Sequence, residues 1–119
     1  MKYMLLIHQG TTPLPGSEEW DALSDEQRGA VYAAYQSLNA TPGVTPAPVQ
    51  MAGPETATTV RVEEGRTLTT DGPFVELKEA IGGYLFFEAG DLDAAIELAA
   101  RIPAARLGGA IEVRPIVEW

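Results

Sequence analysis

The order of hydrophobic periodicities in this chain predicts an α+β domain: strand, helix, strand, hairpin, strand, helix, strand. Three observations carry the prediction. Tyr3–His8 and Gly82–Glu88 are short apolar runs with the two-residue alternation of strands. Ser24 and Gln27 form a capping box ahead of a helix, and Asp91 sits as the N-cap of a second. Between them, Thr58–Val62 and Thr67–Thr70 flank Glu63-Glu64-Gly65, the signature of a β-hairpin. Set aside the hairpin, and the remainder is the split βαβ, ferredoxin-like pattern. A chain of 119 residues is long enough for one domain with one core.

The first strand places Tyr3, Leu5 and Ile7 on one face and Met4, Leu6 and His8 on the other. Gly10, Pro13, Pro15 and Gly16 then mark Gln9 to Trp20 as a loop. After Ser24, acidic Asp25 and Glu26 suit the positive end of a helix dipole. The helix runs to about Asn39 with Val31, Ala34, Tyr35 and Leu38 as its buried stripe, and Thr41-Pro42-Gly43 ends it. The prolines at 42, 46, 48 and 54 confine any strand here to an edge segment, Val49 to Ala52.

Gly82–Glu88 carries four large apolar residues in succession, Tyr84, Leu85, Phe86 and Phe87, which predicts burial on both faces. The helix from Asp91 extends through about Arg101, with Leu92, Ala95, Ile96, Ala99 and Ile102 as its stripe, and Pro103 terminates it. Ile111–Val117 is the last strand. Two helices cover only one face of a four-stranded sheet. The two-faced apolar strands therefore predict a homodimer packed sheet to sheet across an isologous interface.

Composition narrows the function classes. Seventeen acidic residues against eight basic give a net charge of −9, and the basic residues form no stripe, so nucleic acid is not an expected partner. With no cysteine, disulfides, thiolate nucleophiles and cysteine-bound zinc are excluded. The N-terminal apolar run stops at His8, short of a signal peptide's core, and no span has the length of a membrane helix. A cytoplasmic protein with no membrane association is expected. Gly-x-Ser-x-Gly, phosphate-loop and dinucleotide fingerprints are absent. One histidine and no cysteine supply no transition-metal set, so neither metal nor cofactor is expected.

Several segments together resemble a known family: Ala57–Val62, the run Thr70-Asp71-Gly72-Pro73-Phe74-Val75-Glu76-Leu77-Lys78-Glu79, Gly82-Gly83-Tyr84, Ala99–Ala105 and Ile111–Ile116. They look like the YCII-related, or DGPF-domain, proteins, over nearly the whole chain. The resemblance implies a dimeric α+β barrel of the sort found in haem-degrading and small monooxygenase-like folds. One branch of that family is proposed to act through a His–Asp pair, its histidine in the first helix region and its aspartate just after the second helix. Here the first helix has no histidine, and Arg101-Ile102-Pro103 follows the second, so that pair does not carry over. The resemblance also implies a link, in some members, to extracytoplasmic-function sigma factors.

His8 is the one side chain whose ordinary pKa suits proton transfer near neutrality, which makes it the candidate acid or base. Asp71, ahead of Gly72-Pro73, is the second catalytic candidate: it either orients a histidine or accepts a backbone N–H in the turn. Phe74 is an aromatic anchor of that loop, and Lys78 an ammonium able to hold an anion. Glu79 closes the charged run, and Tyr84 would line a barrel interior. Three readings follow. One is a cytoplasmic dimer binding a small organic molecule in a pocket between the Asp71–Glu79 loop and the His8 strand, with cofactor-free acid–base chemistry open to it. The second is a non-catalytic ligand-sensing or interaction module tied to transcription regulation. The third is a purely structural dimer.

Overall fold

The computed structural model of the chain describes residues 1–45, 48–72 and 80–119. Its centre is a four-stranded antiparallel sheet of β1 (Lys2–His8), β2 (Val49–Gln50), β5 (Ile81–Glu88) and β6 (Ala110–Pro115), in the order β2-β5-β1-β6. A second, two-stranded sheet pairs β3 (Thr58–Glu63) with β4 (Arg66–Asp71). The helices are α1 (Glu18–Asp21), α2 (Asp25–Asn39) and α3 (Leu92–Ala100). With β1 and β5 adjacent at the centre and the second and last strands of the large sheet outside them, this is the ferredoxin-like α+β arrangement that the sequence predicts.

Register sorts the side chains by face. Leu5 stands opposite Leu85 and Tyr3 opposite Phe87, while Leu6 stands opposite Tyr84 and Met4 opposite Phe86. The first set packs under the helices: Tyr3, Leu5, Ile7, Leu85 and Phe87 join Leu38 of α2 with Ala95, Leu98 and Ala99 of α3 in one core. Leu5, Leu38, Leu85 and Ile102 are fully buried, each contributing about 1.5–3 kcal/mol of transfer free energy. Arg101 donates from Nη2 to Ser37 Oγ and Thr41 Oγ1, both at 3.0 Å, and so ties the end of α3 to the end of α2.

Within the single chain the second face of the sheet is less covered than the first. Met4, Leu6, Tyr84 and Phe86 are only half-buried, because both helical layers lie on the other side. The faces are therefore unequal within one chain.

The caps form as expected. Ser24 Oγ accepts the Gln27 N–H at 3.0 Å while Gln27 Oε1 accepts the Ser24 N–H at 2.8 Å, and Asp91 Oδ1 accepts the Ala94 N–H at 2.9 Å. The buried stripe of α3 is rotated from the expected one. Ala95, Leu98 and Ala99 are buried, whereas Leu92 and Ile96 are about half exposed. Small alanines let α3 sit close to the sheet, and this turns Leu92 and Ile96 out to its flank. The expected edge strand at Val49–Ala52 is shorter, Val49–Gln50, beside β5. The hairpin turns at Glu64 and Gly65, whose φ angles of 51° and 76° are those of a two-residue type I′ turn.

The candidate site, a cavity under the first helices

A cavity of about 180 Å³ opens between α2, the loop after β1 and the edge of the sheet. Its wall comes from separate stretches of chain. Helix α2 supplies Val31, Tyr32, Tyr35 and Asn39. Ile7 and Gln9 supply the end of β1, and Pro13 and Leu14 the loop beyond it. Val49, Gln50 and Gly83 close the sheet side, and Pro103, Ala104 and Leu107 the base.

Trp20 is the largest wall residue, at the end of the stretch that proline and glycine mark as a loop. It belongs instead to α1, a single helical turn held at both ends. Ser17 Oγ accepts the Trp20 N–H at 3.1 Å and donates to Leu14 O at 2.6 Å. Arg28 Nη1 donates to Leu23 O at 2.7 Å and Asp21 O at 3.2 Å, satisfying carbonyls that the short helix leaves open. Trp20 is thereby buried against Tyr32, edge to face, with ring centroids 5.6 Å apart. Ser17 followed by Glu18 and Glu19 was the signal for this turn, outweighed by Pro13, Pro15 and Gly16 just before it.

Gly83 lies on the sheet side of the cavity, where β2 approaches closely. A Cβ there would collide with the backbone carbonyl of Val49 and come within 3.5 Å of Ile7 Cδ1. Gln9 is fixed by its own loop, donating from Nε2 to Thr12 O at 3.0 Å. The Oγ1 of Thr12 is buried without a hydrogen-bond partner among the described residues, and a Cβ at Gly109 would lie 2.9 Å from it. Thr12 is itself a wall residue, so its hydroxyl joins the amides of Gln9, Asn39 and Gln50 and the phenols of Tyr32 and Tyr35 as the polar groups at hand. Burial raises the Tyr35 phenol above its ordinary pKa, so Tyr35 is a neutral hydrogen-bonding group. Among the described residues that line the cavity there is no carboxylate, ammonium, guanidinium or imidazole.

Of the predicted site residues that the structure describes, His8, Asp71 and Tyr84 are not among the cavity's lining. His8 alternates with Ile7 and Gln9, so its ring is on the helix-free face, where Nε2 lies 2.9 Å from Glu112 Oε1. Glu112 stands opposite Leu6 across β1 and β6, one diagonal step from His8. Arg114 follows on the same face, its Nε 3.7 Å from Glu112 Oε2. Asp71 ends β4, exposed, in register with Thr58. Tyr84 is on the helix-free face, edge to face with Phe86 at 6.0 Å. Phe74, Lys78 and Glu79 lie outside the described residues, as do Pro73, Val75, Glu76 and Leu77. The chain returns at Ala80, whose carbonyl accepts the Gln9 N–H at 2.8 Å beside the cavity.

Among the described residues no three His, Asp or Glu side chains gather as metal ligands, and no helix is long and apolar enough to cross a membrane. The model of the YCII-related domain matches residues 1–119. An uncharacterized protein of Rhizobium meliloti (strain 1021) is 30% identical over 98 residues, covering 82% of this chain and 79% of its own. A family match over the full length, on a fold with the expected strand order, leads to one conclusion: the chain belongs to the YCII-related domain family.

Proposed function

We propose that this protein binds a small, neutral organic molecule with an aromatic or alicyclic body in the cavity under α1 and α2. The observation that carries this reading is the character of the lining: Trp20, Tyr32 and Tyr35 around an apolar floor, amides at its edge and no charged group among the described residues. A cavity of about 150 Å³ suffices for benzene, so about 180 Å³ suits one ring with a small polar substituent. A charged ligand would lose its hydration there without an ionic partner, at a cost of several kcal/mol. The direct test is titration of the protein with benzyl alcohol, benzoate and benzylammonium, followed through Trp20 fluorescence in a Trp119→Phe background. The neutral probe should bind at least about tenfold more tightly than either ion. Equal binding of all three would sink the reading.

A second reading draws on the His8–Glu112 pair. A carboxylate 2.9 Å from an imidazole holds the ring in one orientation and tautomer, the arrangement a general base uses. Met4, Leu6, Tyr84 and Phe86 around it are half-buried apolar groups on a face without helices. Two chains packed through these faces would enclose the pair and make it available for acid–base chemistry in a shared interior. A light-scattering mass near one chain at micromolar concentration would rule this out.

A further inference from the structure

Among the described residues, the β3–β4 hairpin forms a sheet of its own. Val60, Val62 and Leu68 are 59%, 67% and 44% exposed, unusually high for apolar residues in strands. Val60 and Val62 face the same way, opposite Thr69 and Thr67, and so form one uncharged stripe along the ribbon. Among the described residues, neither strand pairs with the large sheet. The molecule measures 51 × 42 × 19 Å with a radius of gyration of 16.1 Å, whereas a compact chain of this length has about 13.5 Å. A lone two-stranded ribbon is marginal in water, and its free edges invite pairing. This ribbon has no proline or lysine to blunt them.

We infer that the hairpin is an arm that lays its Val60–Val62 stripe on a second copy of this chain. This rests on the dimer reading above and adds an element to it. A standard interface takes roughly 20–30 residues from each partner. The helix-free face offers about a dozen outward positions on its four strands, about half of that. One face of the hairpin's two six-residue strands adds about six more, which brings the total close to that range. Charge agrees with a like partner. The chain carries −9, but Arg61 and Arg66 nearly balance Glu63, Glu64 and Asp71 in the arm, which can therefore approach another acidic copy with little repulsion. One twofold association would cover both surfaces, the helix-free sheet face and the Val60–Val62 stripe.

The lack of cysteine makes the test clean. Val62→Cys, labelled with a benzophenone maleimide and irradiated, should give a band at twice the 12.7 kDa chain mass, and Glu19→Cys should not. Val60→Ser with Val62→Ser, both exposed in the single chain, should raise the dimer dissociation constant at least about tenfold with unchanged circular dichroism. If Phe86→Asp dissociates the dimer but the serine variant and the Val62→Cys crosslink do nothing, the arm inference falls and the dimer stands. A wild-type chain that sediments as a monomer overturns both. Crosslinks from Val62→Cys to other proteins only, in a lysate, overturn the choice of a second copy.

Discussion

His8 and Glu112 meet across β1 and β6 with 2.9 Å between Nε2 and Oε1, on the opposite side of the sheet from Gln9 and the cavity. One residue of strand alternation separates the His8–Glu112 pair from the cavity. His8→Ala should therefore leave benzyl alcohol binding within about twofold of wild type. Its cost in stability should stay below about 1 kcal/mol, since the pair is partly solvated. A tenfold loss of binding on His8→Ala would place the two on one site.

Gly83→Ala should act on the pocket from its sheet side. The added methyl meets the Val49 carbonyl, which belongs to backbone and cannot swing aside. The edge strand β2 must move, and with it Val49 and Gln50 of the wall. Benzyl alcohol affinity should drop at least about tenfold, from misplaced wall groups rather than lost contacts. Ala at Gly90, where a Cβ meets nothing within 4 Å, should leave affinity unchanged.

Tyr35 predicts an alkaline limit. Burial raises its pKa in the fold above the ordinary value of about 10. Below that pH the phenol is neutral in both folded and unfolded chains, and the stability is fully present. As pH rises past about 10 the unfolded chain loses the proton first, so stability falls until the folded pKa is passed. Urea midpoints at pH 9 and 11 should therefore differ more for wild type than for Tyr35→Phe; equal differences would show that Tyr35 does not contribute.

The core and the caps predict effects of different size. Leu38→Ala removes a fully buried side chain between α2 and the sheet and should cost about 2–5 kcal/mol. Ser24→Ala removes one half of the capping box and should cost about 1 kcal/mol, a few degrees of Tm. Denaturant titrations of the two variants check the order.

The two central strands and the two longer helices were legible because each carries its own local signal: alternation in Tyr3–His8 and Gly82–Glu88, and capping chemistry at Ser24 and Asp91. The hairpin was legible from Glu63-Glu64-Gly65 set between the strand patterns of Thr58–Val62 and Thr67–Thr70. The cavity was not. It draws one to a few residues from each of several segments, and no periodicity reports which side chains converge after folding. The His8–Glu112 pair spans 104 residues and depends on the register of β1 against β6, which alternation leaves free to slide. Trp20 was missed for a local reason, since proline and glycine ahead of it outweighed the cap at Ser17.

The central claim is that the helix-side cavity, not the open sheet face, receives a small neutral molecule. It is tested most directly by amide and side-chain NMR shifts during titration with benzyl alcohol. Shifts are expected at Gln9, Trp20, Tyr35, Gln50 and Gly83, with His8, Tyr84 and Glu112 unmoved. Shifts at His8, Tyr84 and Glu112 with a silent Trp20 would contradict it.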